Sequence, residues 1–350
     1  MSARSAVPDL LLRIVERRRE RLAEIRGRDD ADGGAAAAGE AAAGGLAGAT
    51  GAAGAAGAIG AAGAGRAAGA IGAAGAIGAT AASFAAAATA AHAARAGGAG
   101  VEHGVPSVPD GEPALAGPRD NPFLAALTHP SREVPAIIAE VKMGSPRLGP
   151  LHARVDPIAQ ARLYAANGAA ALSVVVEPDF FFGSYELLAE CRAASGLPAL
   201  AKDFVVDPLQ LAWARSAGAD AVLLIAALYA PEELAAYARL ARGLGLVPLI
   251  EIHDAGDLAC LAGEPWELVG VNNRDLRTFE VDLERSIALL PSLPAPALKV
   301  AESGIRDALD VALLIDSGFD ALLVGETLLL ADDPAAKLHA LLGGGEAAES

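Results

Sequence analysis

The sequence predicts an α/β protein built on a (β/α)8 barrel, also called a TIM barrel, and three observations lead to this fold. Eight short apolar runs follow one another between residues 136 and 324. Amphipathic stretches lie between them, with capping residues at their starts and glycines at their ends. Polar side chains stand at the ends of several runs, where the working face of such barrels lies. We expect a closed parallel barrel rather than an open doubly wound sheet, because strands that are apolar throughout are covered on both faces.

An extra helix is predicted at the N-terminus, over Pro8–Arg28. Leu11, Ile14 and Leu22 fall near one face of it, while arginine and glutamate cover the rest. Its apolar and charged residues are interleaved, so it does not have the pattern of a secretory signal. We expect this helix to dock at the edge of the main domain.

A low-complexity Ala/Gly insertion follows, from residue 32 to about residue 100. Glycine recurs at every third position from Gly48 to Gly78, interrupted only at Arg66. The spacing is similar to that of collagen, but the run has no proline to preorganise that geometry. We expect disorder or partial helix, since Ala and Gly bury too little area to offset the entropy of ordering. The predicted parts are therefore an N-terminal helix at 1–30, a disordered insertion and linker at 31–120, and a barrel domain at 121–345.

The predicted strands are short, apolar and rich in branched side chains. They are Ala136–Lys142, Ala171–Val176, Ala199–Lys202, Ala221–Ile225, Val247–Glu251, Leu268–Asn272, Leu298–Ala301 and Ala321–Val324. Asp156 and Asp207 each precede a proline at the first position of a predicted helix. Gly168, Gly218 and Gly318 each stand just before a strand. The repeating unit is strand, loop, helix and glycine turn, and we expect eight of these units.

Charge and cysteine content limit the partners. The net charge of −16 argues against a general affinity for nucleic acid or anionic membranes. Cys191 and Cys260 provide neither a disulfide framework nor a metal-ligand cluster, so we expect free, packed thiols and a reducing cytoplasmic location.

Charged and amide side chains stand at the predicted C-terminal ends of five strands. They are Glu140 and Lys142 on the first, Lys202 on the third, Glu251 on the fifth, Asn272 and Arg274 on the sixth, and Glu302 on the seventh. Side chains two residues apart on a strand point the same way, so the first two charges should lie together. Any one of these groups could be a salt bridge in the barrel mouth, but five strands converging on one face indicate an active site.

The loops after the seventh and eighth strands indicate a phosphate site. Ser303, Gly304 and Gly325 offer small side chains and backbone N–H groups where barrels commonly hold phosphate. We therefore expect a phosphorylated small-molecule substrate.

Seven blocks of this sequence resemble the indole-3-glycerol phosphate synthase family of tryptophan biosynthesis. They are AIIAEVK at 136–142, EPDFFFGSYELL at 177–188, LAKDFVVDPLQL at 200–211, PLIEIHD at 248–254, VGVNNRDLRTFEVDL at 269–283, KVAESGI at 299–305 and ALLVGETLL at 321–329. The resemblance covers nearly the whole chain outside residues 30–120. It implies a carboxy-lyase that closes the ring of 1-(2-carboxyphenylamino)-1-deoxyribulose 5-phosphate to indole-3-glycerol phosphate, with loss of carbon dioxide and water and without a metal or organic cofactor.

The resemblance also implies roles for individual residues. Lys202 matches the acid that activates the ketone, and burial beside other cations would help it to lose its proton. Glu251 matches the group used in dehydration, and Lys142 the lysine that contacts the substrate carboxylate. The remaining matches are Glu140 and Glu302 for stabilising the developing cation, Asn272 for orientation, Phe181 and Phe204 for the aromatic walls, and Ser145, Arg274, Ser303, Gly304 and Gly325 for the phosphate.

Other polar residues receive simpler interpretations. His152 and His253 lack metal-ligand partners at regular spacing, so surface or capping roles are expected. Asp203 and Asp254 are interpreted as loop caps. The loop after the first strand departs from the family pattern Lys-Arg-x-Ser-Pro-Ser-Lys-Gly, since it loses a cation at Met143 and gains one at Arg147.

Two alternatives to a synthase remain at this point. A phosphoribosylanthranilate isomerase has the same barrel, but we would expect a cysteine where this chain has Glu140 and Lys142. A non-catalytic paralogue used for binding or assembly is the other alternative, although it need not keep every catalytic position filled. We expect a monomer or weak homo-oligomer, with other enzymes of the tryptophan pathway as candidate protein partners.

Overall fold

The structure is a computed structural model that describes residues 7–43, 121–128, 135–275 and 277–343. The side chains of residues 28–43 are not among those described. Most of the predicted Ala/Gly insertion, from residue 44 to residue 120, lies outside the described residues.

Eight parallel strands form a closed barrel, as the sequence predicts. They are β1 (Ala136–Val141), β2 (Ala171–Val175), β3 (Ala199–Lys202), β4 (Ala221–Ile225), β5 (Val247–Ile252), β6 (Leu268–Asn272), β7 (Leu298–Glu302) and β8 (Ala321–Val324). The barrel closes between β1 and β8, where Ala136 lies opposite Ala321 and Ala139 opposite Val324. All eight C-terminal strand ends therefore meet at one rim.

The helices lie at the barrel ends and around its outside. They are α1 (Asp9–Ala43), α2 (Pro122–Leu127), α3 (Pro157–Ala166), α4 (Tyr185–Ser195), α5 (Pro208–Ser216), α6 (Pro231–Gly243), α7 (Leu283–Leu289), α8 (Ala308–Ser317), α9 (Glu326–Leu329) and α10 (Pro334–Leu341). Three short 3-10 helices span Ala226–Leu228, Asp257–Leu261 and Leu290–Ser292. None of the described helices is both long enough and apolar enough to cross a membrane.

The predicted succession of strands and helices is confirmed, and one of its helices is of the 3-10 type. Between β5 and β6 the described chain forms only the 3-10 helix Asp257–Leu261. The Asp257 carboxylate accepts a hydrogen bond from the backbone N–H of His253, which folds the chain back directly after the strand. Few residues then remain before Gly263 turns the chain with φ of +87°.

The predicted punctuation of the helices is confirmed. Asp156 accepts hydrogen bonds from the N–H groups of Ile158 and Ala159 at the start of α3. Asp207 forms a reciprocal capping box with Gln210 in α5. The glycines before β2, β4 and β8 have φ of +90°, +84° and +114°, a region that favours glycine.

The barrel interior is filled from strand to strand and closed at both ends by helices. Ile138, Leu200 and Leu249 are among the buried side chains inside it. The apolar residues of α2 belong to the same cluster, and Asn121 binds the carbonyls of Asp220 and Gly245 at the N-terminal end of the barrel. At the opposite rim the cluster continues into α1.

Helix α1 buries the face that the sequence predicts and extends further than predicted. Leu11, Ile14, Val15 and Leu22 are buried. The predicted end at Arg28 was wrong, since the helix continues to Ala43. The alanine-rich sequence after Arg28 has a high helix propensity, which outweighs the glycines within it.

Candidate active site

A cavity of about 190 Å³ opens at the C-terminal rim of the barrel. Twelve of the thirteen predicted site residues line it, namely Glu140, Lys142, Ser145, Phe181, Lys202, Phe204, Glu251, Asn272, Arg274, Ser303, Gly304 and Gly325. Glu302 is the exception, because it lies fully buried behind Lys202. The apolar side chains of Leu10, Leu11 and Ile14 in α1 are also part of the lining.

The ammonium group of Lys202 lies among three carboxylates. Its Nζ is 2.9 Å from Glu302 Oε2, 3.7 Å from Glu140 Oε2 and 3.8 Å from Glu251 Oε2. Lys142 Nζ donates to the other oxygen of Glu140 at 2.9 Å, so these two side chains lie together as predicted. Two lysines and three carboxylates from four strands thus form one connected network, termed the lysine–carboxylate centre below.

The pKa of Lys202 is shifted in the direction opposite to the expectation from sequence. Burial favours the neutral amine, but Glu302, Glu140 and Glu251 outweigh it and raise the pKa of Lys202 above its usual value. The expected loss of the proton was based on neighbouring cations, whereas the carboxylates are the closer charges. Lys202 is therefore fully protonated at neutral pH and available as a proton donor.

The three carboxylates differ in proton affinity. Burial raises the pKa of Glu302 to about 7, with the charge of Glu251 adding to the effect. For Glu251 burial acts in the same direction, but hydrogen bonding and charge from His253 and the charge of Lys202 outweigh it and lower its pKa to about 2. Burial of Glu140 is likewise outweighed by Lys142 and Lys202, so its pKa is lowered. Groups with such different pKa values can divide acid and base roles between them.

His253 belongs to this centre, contrary to the interpretation from sequence. Its Nε2 lies 3.0 Å from Glu251 Oε1, and its Nδ1 lies 3.9 Å from Asp257 Oδ2. Asn272 Nδ2 donates to the same Glu251 oxygen at 3.2 Å. His253 follows directly after β5, two residues from Glu251, and this spacing was the available signal, since side chains two residues apart in an extended chain point the same way.

Two aromatic rings form a wall of the cavity. Phe181 and Phe204 have ring centroids 5.8 Å apart at an interplanar angle of 34°. The Glu177 carboxylate accepts hydrogen bonds from the N–H groups of Asp179, Phe180 and Phe181, which fixes the loop that carries the first ring. A flat aromatic ligand can lie against this wall.

The opposite part of the cavity has the features of an anion site. Ser303 and Gly304 follow β7 with φ of +67° and +80°. Arg274 Nη2 lies 3.4 Å from Glu326 Oε2, and Arg147 binds the other oxygen of Glu326. The cation gained at Arg147 therefore reaches the predicted phosphate site, where one glutamate pairs with two arginines.

Several predictions about minor residues can also be compared with the structure. Asp254 accepts a hydrogen bond from the N–H of Gly256, which confirms a loop cap. Asp203 is more than a loop cap, because it is buried and forms an ion pair with Arg18. His152 packs edge-on against Phe182. Cys191 and Cys260 are buried thiols, packed as predicted.

The fold and the site define a class of protein: a (β/α)8-barrel enzyme with a lysine–carboxylate centre in a cavity at the C-terminal rim of the barrel. The family model described as indole-3-glycerol phosphate synthase matches residues 112–341. A protein of that description from Rhodopirellula baltica is 47% identical over 206 residues, covering 59% of this chain and 80% of the relative. Relatives of the same description from Azoarcus sp. and Microcystis aeruginosa are 47% and 44% identical, over 60% and 63% of this chain and 80% and 76% of their own lengths. The chain belongs to the indole-3-glycerol phosphate synthase family.

Proposed function

We propose that the protein converts 1-(2-carboxyphenylamino)-1-deoxyribulose 5-phosphate to indole-3-glycerol phosphate, carbon dioxide and water. The observation that carries the proposal is the lysine–carboxylate centre, placed between an aromatic wall and an anion site in one cavity. The substrate has the matching three parts: a ketone, an anthranilate ring and a phosphate.

Binding aligns the two carbons that react. Arg274, Arg147, Ser145 and the backbone N–H groups after β7 and β8 hold the phosphate. Phe181 and Phe204 press the anthranilate ring toward the ketone, and the Lys142 ammonium attracts its carboxylate. Holding the reacting carbons in contact contributes a large part of the rate enhancement in such cyclisations.

Ring closure requires an acid, because the attacking aromatic carbon is a weak nucleophile. Lys202 donates its proton to the ketone oxygen while the ring carbon that bears the carboxylate forms the new C–C bond. The nitrogen then carries positive charge as an iminium ion, which the Glu140 carboxylate stabilises across the cavity. Glu302 is not exposed to the substrate, so it acts through Lys202, which it holds at 2.9 Å.

Two further steps complete the reaction. Carbon dioxide leaves, and its bonding electrons return to the ring. The C–O bond of the hydroxyl group formed from the ketone then breaks. Glu251 takes the proton from the neighbouring carbon that bears the ring nitrogen and delivers it to the departing oxygen, which leaves as water, and the aromatic indole remains. Asn272 and His253 hold Glu251 in position through the same oxygen.

The test is turnover of purified protein, followed by the fluorescence of the indole product. We expect conversion of the carboxyphenylamino-deoxyribulose phosphate and no isomerisation of phosphoribosylanthranilate under the same conditions. A folded protein that is inactive on the first substrate, or that isomerises the second, would contradict the proposal.

The same proposal includes the setting of the enzyme. The protein acts in the cytoplasm without a metal or organic cofactor, as a monomer or weak homo-oligomer.

A further inference from the structure

Helix α1 crosses the cavity rim and forms ion pairs with the loops that carry the aromatic wall. Arg17 and Arg21 contact Asp179 at 3.5 and 2.9 Å, in the loop of Phe181. Arg18 contacts Asp203 at 2.5 Å, in the loop of Phe204. Further along the helix, Arg26 contacts Asp207 at 2.7 Å.

The Arg18–Asp203 pair differs from the others in burial. Its two side chains are 3% and 1% exposed, whereas those of Arg17, Arg21 and Arg26 are 38–40% exposed. Exposed ion pairs contribute little to stability. A buried pair requires each partner, because removal of one leaves an uncompensated charge.

Asp203 is also the centre of a local hydrogen-bond network. Its Oδ2 accepts from the hydroxyl of Tyr185 at 2.7 Å and from the amide of Gln210 at 2.8 Å. Its Oδ1 accepts from the N–H of Phe204 at 2.9 Å. Both oxygens of the carboxylate are thus engaged, and the bond to Phe204 fixes the backbone directly after Asp203.

That segment carries two of the groups assigned to the reaction. Asp203 lies between Lys202, the proposed acid, and Phe204, half of the aromatic wall. Any shift of the Asp203 backbone therefore moves the ammonium group and the ring together. A misplacement of about 1 Å at a reacting group lowers rates by about 100-fold.

We propose that Arg18 and Asp203 are positioning residues for the reaction. Arg18 docks from the N-terminal helix, fixes the Asp203 carboxylate, and through it sets the position of Lys202 and Phe204. The N-terminal helix is then part of the apparatus that places the acid, in addition to covering the cavity with Leu10, Leu11 and Ile14.

The long connection between α1 and α2 is a second reason to expect a strong interaction between Arg18 and Asp203. Residues 44–121 separate the last residue of α1 from the first of α2. The entropy lost on docking a tethered element rises with the logarithm of the connection length. Specific contacts must therefore hold α1 at the rim, and Arg18–Asp203 is the most deeply buried of the ion pairs described above.

The test compares Arg18→Met with Arg26→Met, which removes an exposed ion pair from the same helix. The inference rests on the proposed function, so turnover by the wild type in the same assay separates failure of the function from failure of the inference. We expect kcat to fall about 10- to 100-fold in Arg18→Met and to change less than about twofold in Arg26→Met. Arg18→Lys should recover a large part of kcat, because it restores the charge.

A spectroscopic readout follows from the same network. Tyr185 packs edge-on against Trp213 with ring centroids 5.8 Å apart. Arg18→Met should therefore change the intrinsic fluorescence of Trp213 without substrate, whereas Arg26→Met should not.

Two results would overturn the inference. One is an Arg18→Met variant with the wild-type kcat and only a raised KM, which would make the pair a simple anchor. The other is an equal loss of kcat in Arg26→Met. If Arg18→Met does not fold, the double variant Arg18→Met/Asp203→Asn, which leaves no unpaired charge, decides the question by the same kcat criterion.

Discussion

Lys202 carries its charge where a lone ammonium group would be costly to bury. Its side chain is 19% exposed, and three carboxylates lie within 3.8 Å. These carboxylates raise its pKa, which keeps the proton in place until a substrate enters. The substrate ketone is then the nearest new acceptor. The residue that donates the proton and the residues that retain it are thus parts of the same centre.

We expect the titration of Glu302 to make the free energy of unfolding depend on pH. Its pKa is raised to about 7 in the folded protein, against about 4.3 when unfolded. Between these values the folded state binds more protons than the unfolded state, so stability from this group is lost as pH rises. The free energy of unfolding of wild type, relative to Glu302→Gln, should therefore decrease from pH 5 to pH 7 and then level off. Urea titrations at several pH values measure it, and a difference that is constant with pH would refute the assignment.

The residues of the centre could be predicted from sequence, but their electrostatics could not. In a closed parallel barrel every C-terminal strand end reaches the same rim, so Glu140, Lys202 and Glu302 had to approach one another. The direction of the Lys202 pKa shift depends on distances of a few ångströms, which strand positions do not give. The role of Arg18 was equally inaccessible, because its contact with Asp203 spans 185 positions in the chain.

Among the structural elements, the loop after β1 departs from the family pattern. Arg147 in this loop and Arg274 after β6 share a single carboxylate, that of Glu326 at the start of α9. A phosphate dianion offers the two arginines more charge than one glutamate does. We therefore expect Glu326 to compete with the phosphate group for them.

Glu326→Gln should consequently strengthen inhibition by inorganic phosphate. The inhibition constant should fall about threefold to fivefold, since exposed ion pairs contribute up to about 1 kcal/mol. Glu284→Gln, which removes an exposed carboxylate outside the cavity, is the matched control for net charge. Unchanged inhibition in Glu326→Gln would mean that the glutamate does not compete with phosphate.

Element boundaries also show what a single sequence leaves undetermined. The capping residues Asp156 and Asp207 placed two helix starts correctly, because a cap acts through adjacent backbone groups. The end of α1 was missed, since the alanine-rich continuation extends the helix to Ala43 in spite of the glycines that follow Arg28. The sequence also did not reveal that a 3-10 helix takes the place of an α-helix between β5 and β6. This local structure depends on the hydrogen bond that the Asp257 carboxylate accepts from the backbone N–H of His253.

For the whole molecule, the barrel and α1 form the working unit, and we propose that the Ala/Gly segment serves as a tether. Deleting residues 48–78 should leave kcat and KM within about twofold of wild type, since such a segment buries too little apolar area to contribute to a core. It shortens the connection by about 40%, which should favour docking by less than about 1 kcal/mol. Thermal unfolding and steady-state kinetics test this. A tenfold rise in KM, or a clear fall in Tm, would show that the deleted residues contact the barrel.

The central claim is that Lys202 supplies the proton for ring closure. Single-turnover formation of the indole product should therefore be measured for wild type, Lys202→Met and Lys299→Met, the last being a lysine near the start of β7, away from the cavity. We predict a loss of about 1,000-fold in Lys202→Met, within the range of about 100- to 10,000-fold that one general acid contributes, and wild-type rates in Lys299→Met. A Lys202→Met protein that folds, binds the substrate and closes the ring within about tenfold of the wild-type rate would contradict the account.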